Sequence, residues 1–446
     1  MHVGVINLNI ESISKIVNGE IIKNTNKLVN KIKIDSRKIE TNDLFIALIG
    51  NNIDSHKFIK QIHKKISVAI ICKAIDIKHY DCGIIKVKDT YDAMNKLAAF
   101  YRNLYKVPLI AITGSVGKTT TKELISNMLE KKYNVLKTYK NYNNHIGLPL
   151  TLFNLNKNTD IIVTEMGMNH KGELHNLSLI AKPDVSVITN IGSSHIGNLG
   201  SKKNILLAKL EILDGMKTKE LFVNGYDKNL KKIKFSKKIK RKNKNFKVKK
   251  VKYNLDSTTF DFIYKAKKYN VKFNVPGKGM LNNLLISIAV ALKFDIDIND
   301  IVEVINNYYN KNDRLEIIKT NDFTIINDCY NASFESFKMI LKTIKKSKQN
   351  KIIVFGDIKE LGRYSKYYHK KIARMINKIK SRIVILVGSE TYLVKKYIKN
   401  SIHFNNNLEI INYLNKINLD NHLILVKGSR AMNLEKIVEN LKKASN

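Results

Sequence analysis

Tryptophan is absent from this 446-residue chain, proline occurs four times and cysteine three times. Cys72, Cys82 and Cys329 are odd in number and widely spaced, so they make no disulfide framework and fit no zinc or thioredoxin pattern. Buried, reduced thiols are expected at all three. Long apolar runs are missing as well. The longest, near 284–292, is interrupted by Ser287 and is too short to span a bilayer. The opening Met1-His2-Val3-Gly4 has no basic stretch ahead of an apolar one, so no export signal is expected. These absences point to a soluble cytoplasmic protein with no membrane insertion. Acidic residues are scarce too: 38 face 79 basic ones, a formal charge of +41. Such an excess ordinarily suggests a polyanion partner. Only eight of the 79 are arginine, however, and phosphate and base recognition lean on the arginine fork. Abundant Lys, Asn and Ile with little Pro and no Trp is what AT-rich coding produces. The charge therefore reads as drift on solvated surfaces, with no specific nucleic-acid partner.

What is present is enough apolar residue, 44%, to build several cores. At about 150 residues per domain the length implies three. The patterning places them at 1–88, 89–313 and 314–446. The first section has short strands and one helix near 56–65. From Pro108 strand–loop–helix units alternate: strands at 109–113, 160–165 and 185–190, helices at 118–132 and 171–181. That alternation predicts a parallel α/β sheet. The basic stretch 228–252, with Phe235, Ile239, Phe246 and Val248 interspersed, reads as a solvated hairpin rather than a nucleic-acid face. A buried helix is expected at 281–292. After Arg314 a second α/β pattern begins, with strands at 323–327, 351–355, 383–387 and 423–426, and this predicts a Rossmann-like unit.

Between the 109–113 strand and the following helix stands Thr113-Gly114-Ser115-Val116-Gly117-Lys118-Thr119-Thr120. This is the context a phosphate-binding P-loop requires. Gly114 and Gly117 permit tight turns that aim backbone N–H groups at a phosphate, and the helix N-terminus adds positive potential. Lys118 can reach the β and γ oxygens, and the Thr119 hydroxyl can meet Mg²⁺. ATP is the expected ligand. Glu165 closes the next apolar strand. A carboxylate there can hold Mg²⁺, and a helix-capping role reads equally well.

Longer motifs extend the pattern. Asn141-Tyr142-Asn143-Asn144-His145-Ile146-Gly147-Leu148-Pro149-Leu150-Thr151 follows the P-loop helix, then Glu165-Met166-Gly167-Met168-Asn169, Thr189-Asn190-Ile191-Gly192-Ser193-Ser194-His195 and Ala208-Lys209-Leu210-Glu211-Ile212-Leu213. Asp328-Cys329-Tyr330-Asn331-Ala332, Gly356-Asp357-Ile358-Lys359-Glu360-Leu361-Gly362 and Lys427-Gly428-Ser429-Arg430 come later, and Asp35-Ser36-Arg37 lies near the start. Together they resemble the Mur ligase family of cell-wall enzymes over nearly the whole chain, most closely its dipeptide-adding branch. One motif departs. The family's G-x-H-N-x-x-N is here Gly277-Lys278-Gly279-Met280-Leu281-Asn282-Asn283, which keeps only the last Asn.

The resemblance implies an ATP-dependent ligase that adds D-alanyl-D-alanine to UDP-N-acetylmuramoyl-tripeptide through an acyl phosphate. It implies a uridine-nucleotide domain, a central ATPase-type domain and a C-terminal ligase domain, acting as a monomer. ATP would lie on Gly114, Ser115, Val116, Gly117, Lys118, Thr119 and Thr120, with Asn283 at the adenine, Asp328 at the ribose and Arg314 at the phosphates. Two Mg²⁺ ions are implied, held by Thr119, Glu165, His195 and a carbamylated Lys209. Catalytic roles would fall to Lys118, Glu165, His195, Lys209 and Arg314. Ser36 and Arg37 would meet the uridine diphosphate, while Asn144, Tyr330, Asn331, Lys427 and Ser429 would line the remaining substrate path. A sister ligase adding a single amino acid is the nearest alternative, but its D-N-P-R-type motif is absent. A basic nucleic-acid-associated NTPase is a further alternative, without a helix-turn-helix, RNP or zinc pattern to support it.

Overall fold

The computed structural model describes residues 8–310 and 313–444, so the Met1–Gly4 segment read above lies outside them. The N-terminal sheet runs Glu20–Lys23, Gly83–Lys86, Ile66–Ile71, Asp43–Ile46, Ile32–Lys33, parallel except for its first edge. Asp43–Ile46 and Ile66–Ile71 are buried at every position because both faces are covered. Leu44, Ile46, Val68 and Ile70 meet one helical layer, while Phe45, Ala69 and Ile71 meet Ile59 and Ile62 on the other side. The single helix expected at 56–65 is a 3₁₀ turn, Ser55–Phe58, running into one α-turn, Ile59–Ile62. A helix not anticipated, Ile10–Val17, buries Ile10, Ile13 and Val17 and is capped by Asn9 and a left-handed Asn18.

Helix Thr90–Leu104 serves two cores. Ala93, Met94, Leu97 and Tyr101 join the N-terminal core, while Ala98 joins the central one. Its neighbours there are helices Gly147–Leu152 and Glu173–Ala181.

The central sheet has six parallel strands in the order Lys237–Ile239, Leu221–Asn224, Val185–Ile188, Leu109–Thr113, Ile161–Glu165, Val135–Lys137. Leu109–Thr113 sits between Val185–Ile188 and Ile161–Glu165. The loops leaving these three strands therefore open on one sheet edge, where parallel α/β folds bind ligands. The basic stretch is not the single hairpin expected: Lys237–Ile239 is the edge strand of the central sheet, and Phe246–Tyr253 belongs to a three-stranded antiparallel sheet with Thr258–Tyr264 and Lys267–Phe273. Phe246 and Val248 are buried and Lys247 and Lys249 exposed, while Phe235 lies outside on the surface.

The C-terminal sheet runs Glu316–Lys319, Thr324–Asp328, His422–Lys427, Asn350–Gly356, Ile383–Val387, Ser401–Phe404, with only the first strand antiparallel. The fold is thus α/β throughout, as expected. Cys82 and Cys329 are buried, and burial raises both thiol pKa values, to about 11 and about 12. Cys72 corrects the expectation: it follows the end of a strand and is only half-buried. Among the described residues no helix is long and apolar enough to cross a membrane.

Candidate active site

The strand Leu109–Thr113 ends at Gly114, and the chain turns through Gly117 into helix Lys118–Leu129. Gly117 has φ +87°, and a Cβ there would stand 2.0 Å from Asn283 Nδ2; a Cβ on Gly114 would stand 1.9 Å from Thr189 Oγ1. Only glycine fits either position. The loop is clamped by the neighbouring strand. Ser115 N donates to Asn190 O and Val116 N to Asn190 Oδ1, while Thr189 Oγ1 and Asn190 Nδ2 donate to Val116 O. The amides of Ser115 and Val116 are therefore spent inside the protein. Those of Gly117, Lys118 and Thr119 have no partner among the described residues and remain free for an anion.

A cleft of about 370 Å³ opens over this loop, bounded by the C-terminal unit. It brings together Ser115, Val116, Gly117, Lys118, Thr119, Thr120, Asn144, Glu165, His195, Arg314, Asp328, Tyr330, Asn331 and Lys427. Thr119 Oγ1 donates to Glu165 Oε2 at 2.7 Å, and Asn143 Nδ2 donates to Oε1 at 2.7 Å. Glu165 is thus held by side chains and caps no helix. Burial lowers the proton affinity of Lys118; Glu165 opposes the shift and Arg314 adds to it. Among the described residues the Lys118 ammonium is otherwise satisfied only by Gly114 O, at 3.0 Å. The Arg314 guanidinium stacks 3.6 Å from the Tyr330 ring centre, which orients the fork.

On the opposite wall, burial raises the Asp328 pKa, and Lys427 opposes the shift. Lys427 is fully buried and gives its protons to Asp328 Oδ2, Asp328 O and Asn331 O. It fixes Asp328 more than it faces a ligand. Asn144 Oδ1 is likewise engaged, accepting from Ile146 N and Gly147 N.

Lys209 lies behind the cleft. It is 1% exposed, and its side-chain amine has no hydrogen bond or ion pair among the described residues. Burial and the nearby Lys118 hold its pKa well below the usual lysine value. His195, at φ +61°, places Nδ1 2.7 Å from Glu360 Oε2. The contact is an ion-pair approach rather than a linear hydrogen bond, and among the described residues Nδ1 has no other partner.

Other expected residues are not brought to this cleft. Asn283 lines a neighbouring cavity of about 450 Å³, which shares Val116, Met280 and Met339 with the first and also exposes Gly279 and Asn282. Ser429 is buried and accepts from Lys359 N, so it pins a loop. Arg37 is 86% exposed, with both guanidinium contacts going to Asp35. The three residues most visibly missed by sequence reasoning are Asn143, Glu335 and Glu360. Glu335 accepts from Ser193 N and Oγ and pairs with Lys202, which docks the C-terminal unit on the central one.

Comparison with known proteins decides the family. The Mur ligase middle domain matches residues 112–291, and the Mur ligase glutamate ligase domain matches 313–430. A UDP-N-acetylmuramoyl-tripeptide–D-alanyl-D-alanine ligase of Buchnera aphidicola is 32% identical, over 99% of each chain. The chain belongs to the Mur ligase family. Among solved structures, this Mur ligase resembles MurF from Acinetobacter baumannii with a TM-score of 0.91 and 26% identity, covering 99% of this chain and 100% of that one. MurF ligase from Thermotoga maritima in complex with ADP aligns at TM-score 0.82 and 27% identity, over 93% and 97%.

Proposed function

We propose that this Mur ligase joins the amine of D-alanyl-D-alanine to the terminal carboxylate of UDP-N-acetylmuramoyl-tripeptide at the expense of ATP, in the cytoplasm and as a monomer, making a precursor for the peptidoglycan of the cell wall. The observation that carries the reading is a single cleft in which a P-loop faces Arg314 and Asp328 of another unit. The names of its relatives supply the substrates. The units we assign are 1–88 for the uridine nucleotide, with Ser36 and Arg37, 89–313 for ATP, and 314–446 for ligation.

Neither reactant is competent unaided. A carboxylate oxygen attacks the γ-phosphorus, ADP leaves, and an acyl phosphate forms. The amine then attacks the acyl carbon, loses a proton and expels phosphate. The first step brings two anions together, so fixed cations must screen them. Lys118, beside the free loop amides, and Arg314, held against Tyr330, would do that work. Asp328 suits ribose hydroxyls because Lys427 holds it still and opposes the burial that favours its neutral form.

The donors fit divalent cations. Thr119 and Glu165 offer hard oxygens 2.7 Å apart, a pair for one Mg²⁺. His195 and a carbamylated Lys209 would hold a second. An unpaired buried amine with depressed proton affinity is the form that adds CO₂, releasing a proton and gaining an anionic oxygen pair. Bound Mg²⁺ supplies neutralisation of the phosphate oxygens.

The test is ADP release measured with each substrate omitted in turn. Turnover should need both the uridine-linked tripeptide and the dipeptide. Turnover with free amino acids, or stimulation by nucleic acid, would overturn the reading.

A further inference from the structure

Two residues with left-handed backbones face each other across the junction of the central and C-terminal units. His195 has φ +61° and Glu360 φ +65°, a conformation that costs a non-glycine residue free energy and persists only where surroundings impose it. The surroundings do impose it. Glu360 O accepts from Gly197 N at 3.2 Å. Gly197 and Gly362 pack backbone to backbone, so that a Cβ on either would meet main-chain atoms at 2.7–3.0 Å. Tyr364 OH closes the seam on Gly200 O at 2.6 Å.

The loop carrying Glu360 is itself fixed from within. Ile358 N donates to the buried His369 Nε2, Lys359 N to Ser429 Oγ, and Ser429 N to Asp357 O. The Asp357 carboxylate accepts from Glu390 N and Thr391 N. All this backbone order delivers one carboxylate to one imidazole nitrogen, at 2.7 Å. The other ring nitrogen, Nε2, has no partner among the described residues, and His195 and Glu360 both line the cleft.

A carboxylate that takes the proton of one imidazole nitrogen sets the tautomer, aims the ring and raises the basicity of the other nitrogen; at 2.7 Å Glu360 is within reach of that bond, which a small turn of the ring would complete. We propose that Glu360 is a positioning residue contributed by the C-terminal unit. It holds His195 with Nδ1 protonated and Nε2 free for a divalent cation, so that the second cation site is complete only when the two units are docked. The inference rests on the reading of His195 as a cation ligand.

The experiment measures Mn²⁺ binding by electron paramagnetic resonance in the presence of a non-hydrolysable ATP analogue. It compares wild type, Glu360→Gln, Glu360→Ala, Glu360→Asp and His195→Ala. The wild type should bind two Mn²⁺. Glu360→Ala and Glu360→Gln should weaken the second by about 10- to 100-fold, leaving the first ion and the nucleotide bound as before, and Glu360→Asp should recover part of the loss. ¹⁵N spectra should show His195 leaving the Nδ1–H tautomer in Glu360→Ala. If Glu360→Ala keeps both Mn²⁺ affinities within twofold while His195→Ala loses one, the proposal fails and the ligand reading stands. If both variants keep both ions, the ligand reading fails with it. Thermal melting shows that each variant is folded, and the isosteric Gln form removes the charge without opening a cavity.

Discussion

Replacing Lys209 by Met separates stability from activity. The two side chains are similar in length, so packing is conserved, and what is lost is a buried amine with no partner. A buried polar group left unsatisfied costs about 1–3 kcal/mol. In CO₂-free buffer Lys209→Met should therefore be more stable than wild type by about that amount near neutral pH. The gain should depend on pH. Because the folded-state pKa lies below the usual 10.5, the unfolded chain binds the extra proton between the two values. Stability of the wild type then rises with pH across that window, by at most about 1.4 kcal/mol per pH unit for one group. Lys209→Met should lose this slope, and its advantage should shrink as pH approaches 10.5. Lys118 contributes a slope of the same sign to both proteins. Bicarbonate should stabilise the wild type alone, since only a folded, uncharged amine is trapped as a carbamate. Turnover of Lys209→Met, and of Lys209→Ala, should fall greatly and not return in high bicarbonate. Urea unfolding between pH 6.5 and 10, with and without bicarbonate, reads the first set of effects; ADP release reads the last. A variant less stable than wild type at neutral pH, or one with near-normal turnover, refutes the reasoning.

Gly117→Ala should abolish ATP binding in a calorimetric titration, because its Cβ would drive Asn283 from 2.0 Å and strain a φ of +87°; retained affinity would mean the loop is not the phosphate site. Asp328→Asn should cost about 3–5 kcal/mol of stability, since it leaves the buried Lys427 ammonium without its counter-ion; urea unfolding measures it. Arg37→Ala should leave the melting temperature unchanged, because the side chain is exposed and, among the described residues, pairs only with Asp35. A weaker affinity of that variant for the uridine-linked substrate would report substrate contact directly.

How much of this was legible depended on the range of the interaction. The P-loop was readable because its chemistry is contained in eight consecutive residues. The buried strands were readable because both-face burial writes itself as apolar runs, as in Leu109–Thr113 and Ile383–Val387. The edge strands Glu316–Lys319 and Ser401–Phe404 were not, since each has four residues that are mostly half-exposed. Helix Ile10–Val17 did carry a signal, in Asn9, the Ile10–Ile13–Val17 spacing and Asn18. Glu335 and Glu360 stayed hidden for a different reason. Their partners, Ser193 and His195, lie 142 and 165 residues away, and no local pattern announces such a pairing. Lys427 and Ser429 sit in a motif that suggested ligand contact, whereas the Lys427 protons and one Ser429 lone pair are engaged in fixing neighbours.

Helix Thr90–Leu104 has a consequence for how the chain is made. During synthesis the N-terminal sheet can close on Ala93, Met94, Leu97 and Tyr101 as soon as that helix leaves the ribosome. The face carrying Ala98 must wait for helices Gly147–Leu152 and Glu173–Ala181, the second of which ends 77 residues further on. In that interval the nascent chain leaves the helix face at Ala98 and Ala99 uncovered. A ribosome stalled within it should present a bound target for hydrophobic-patch chaperones, and one stalled beyond residue 200 should not.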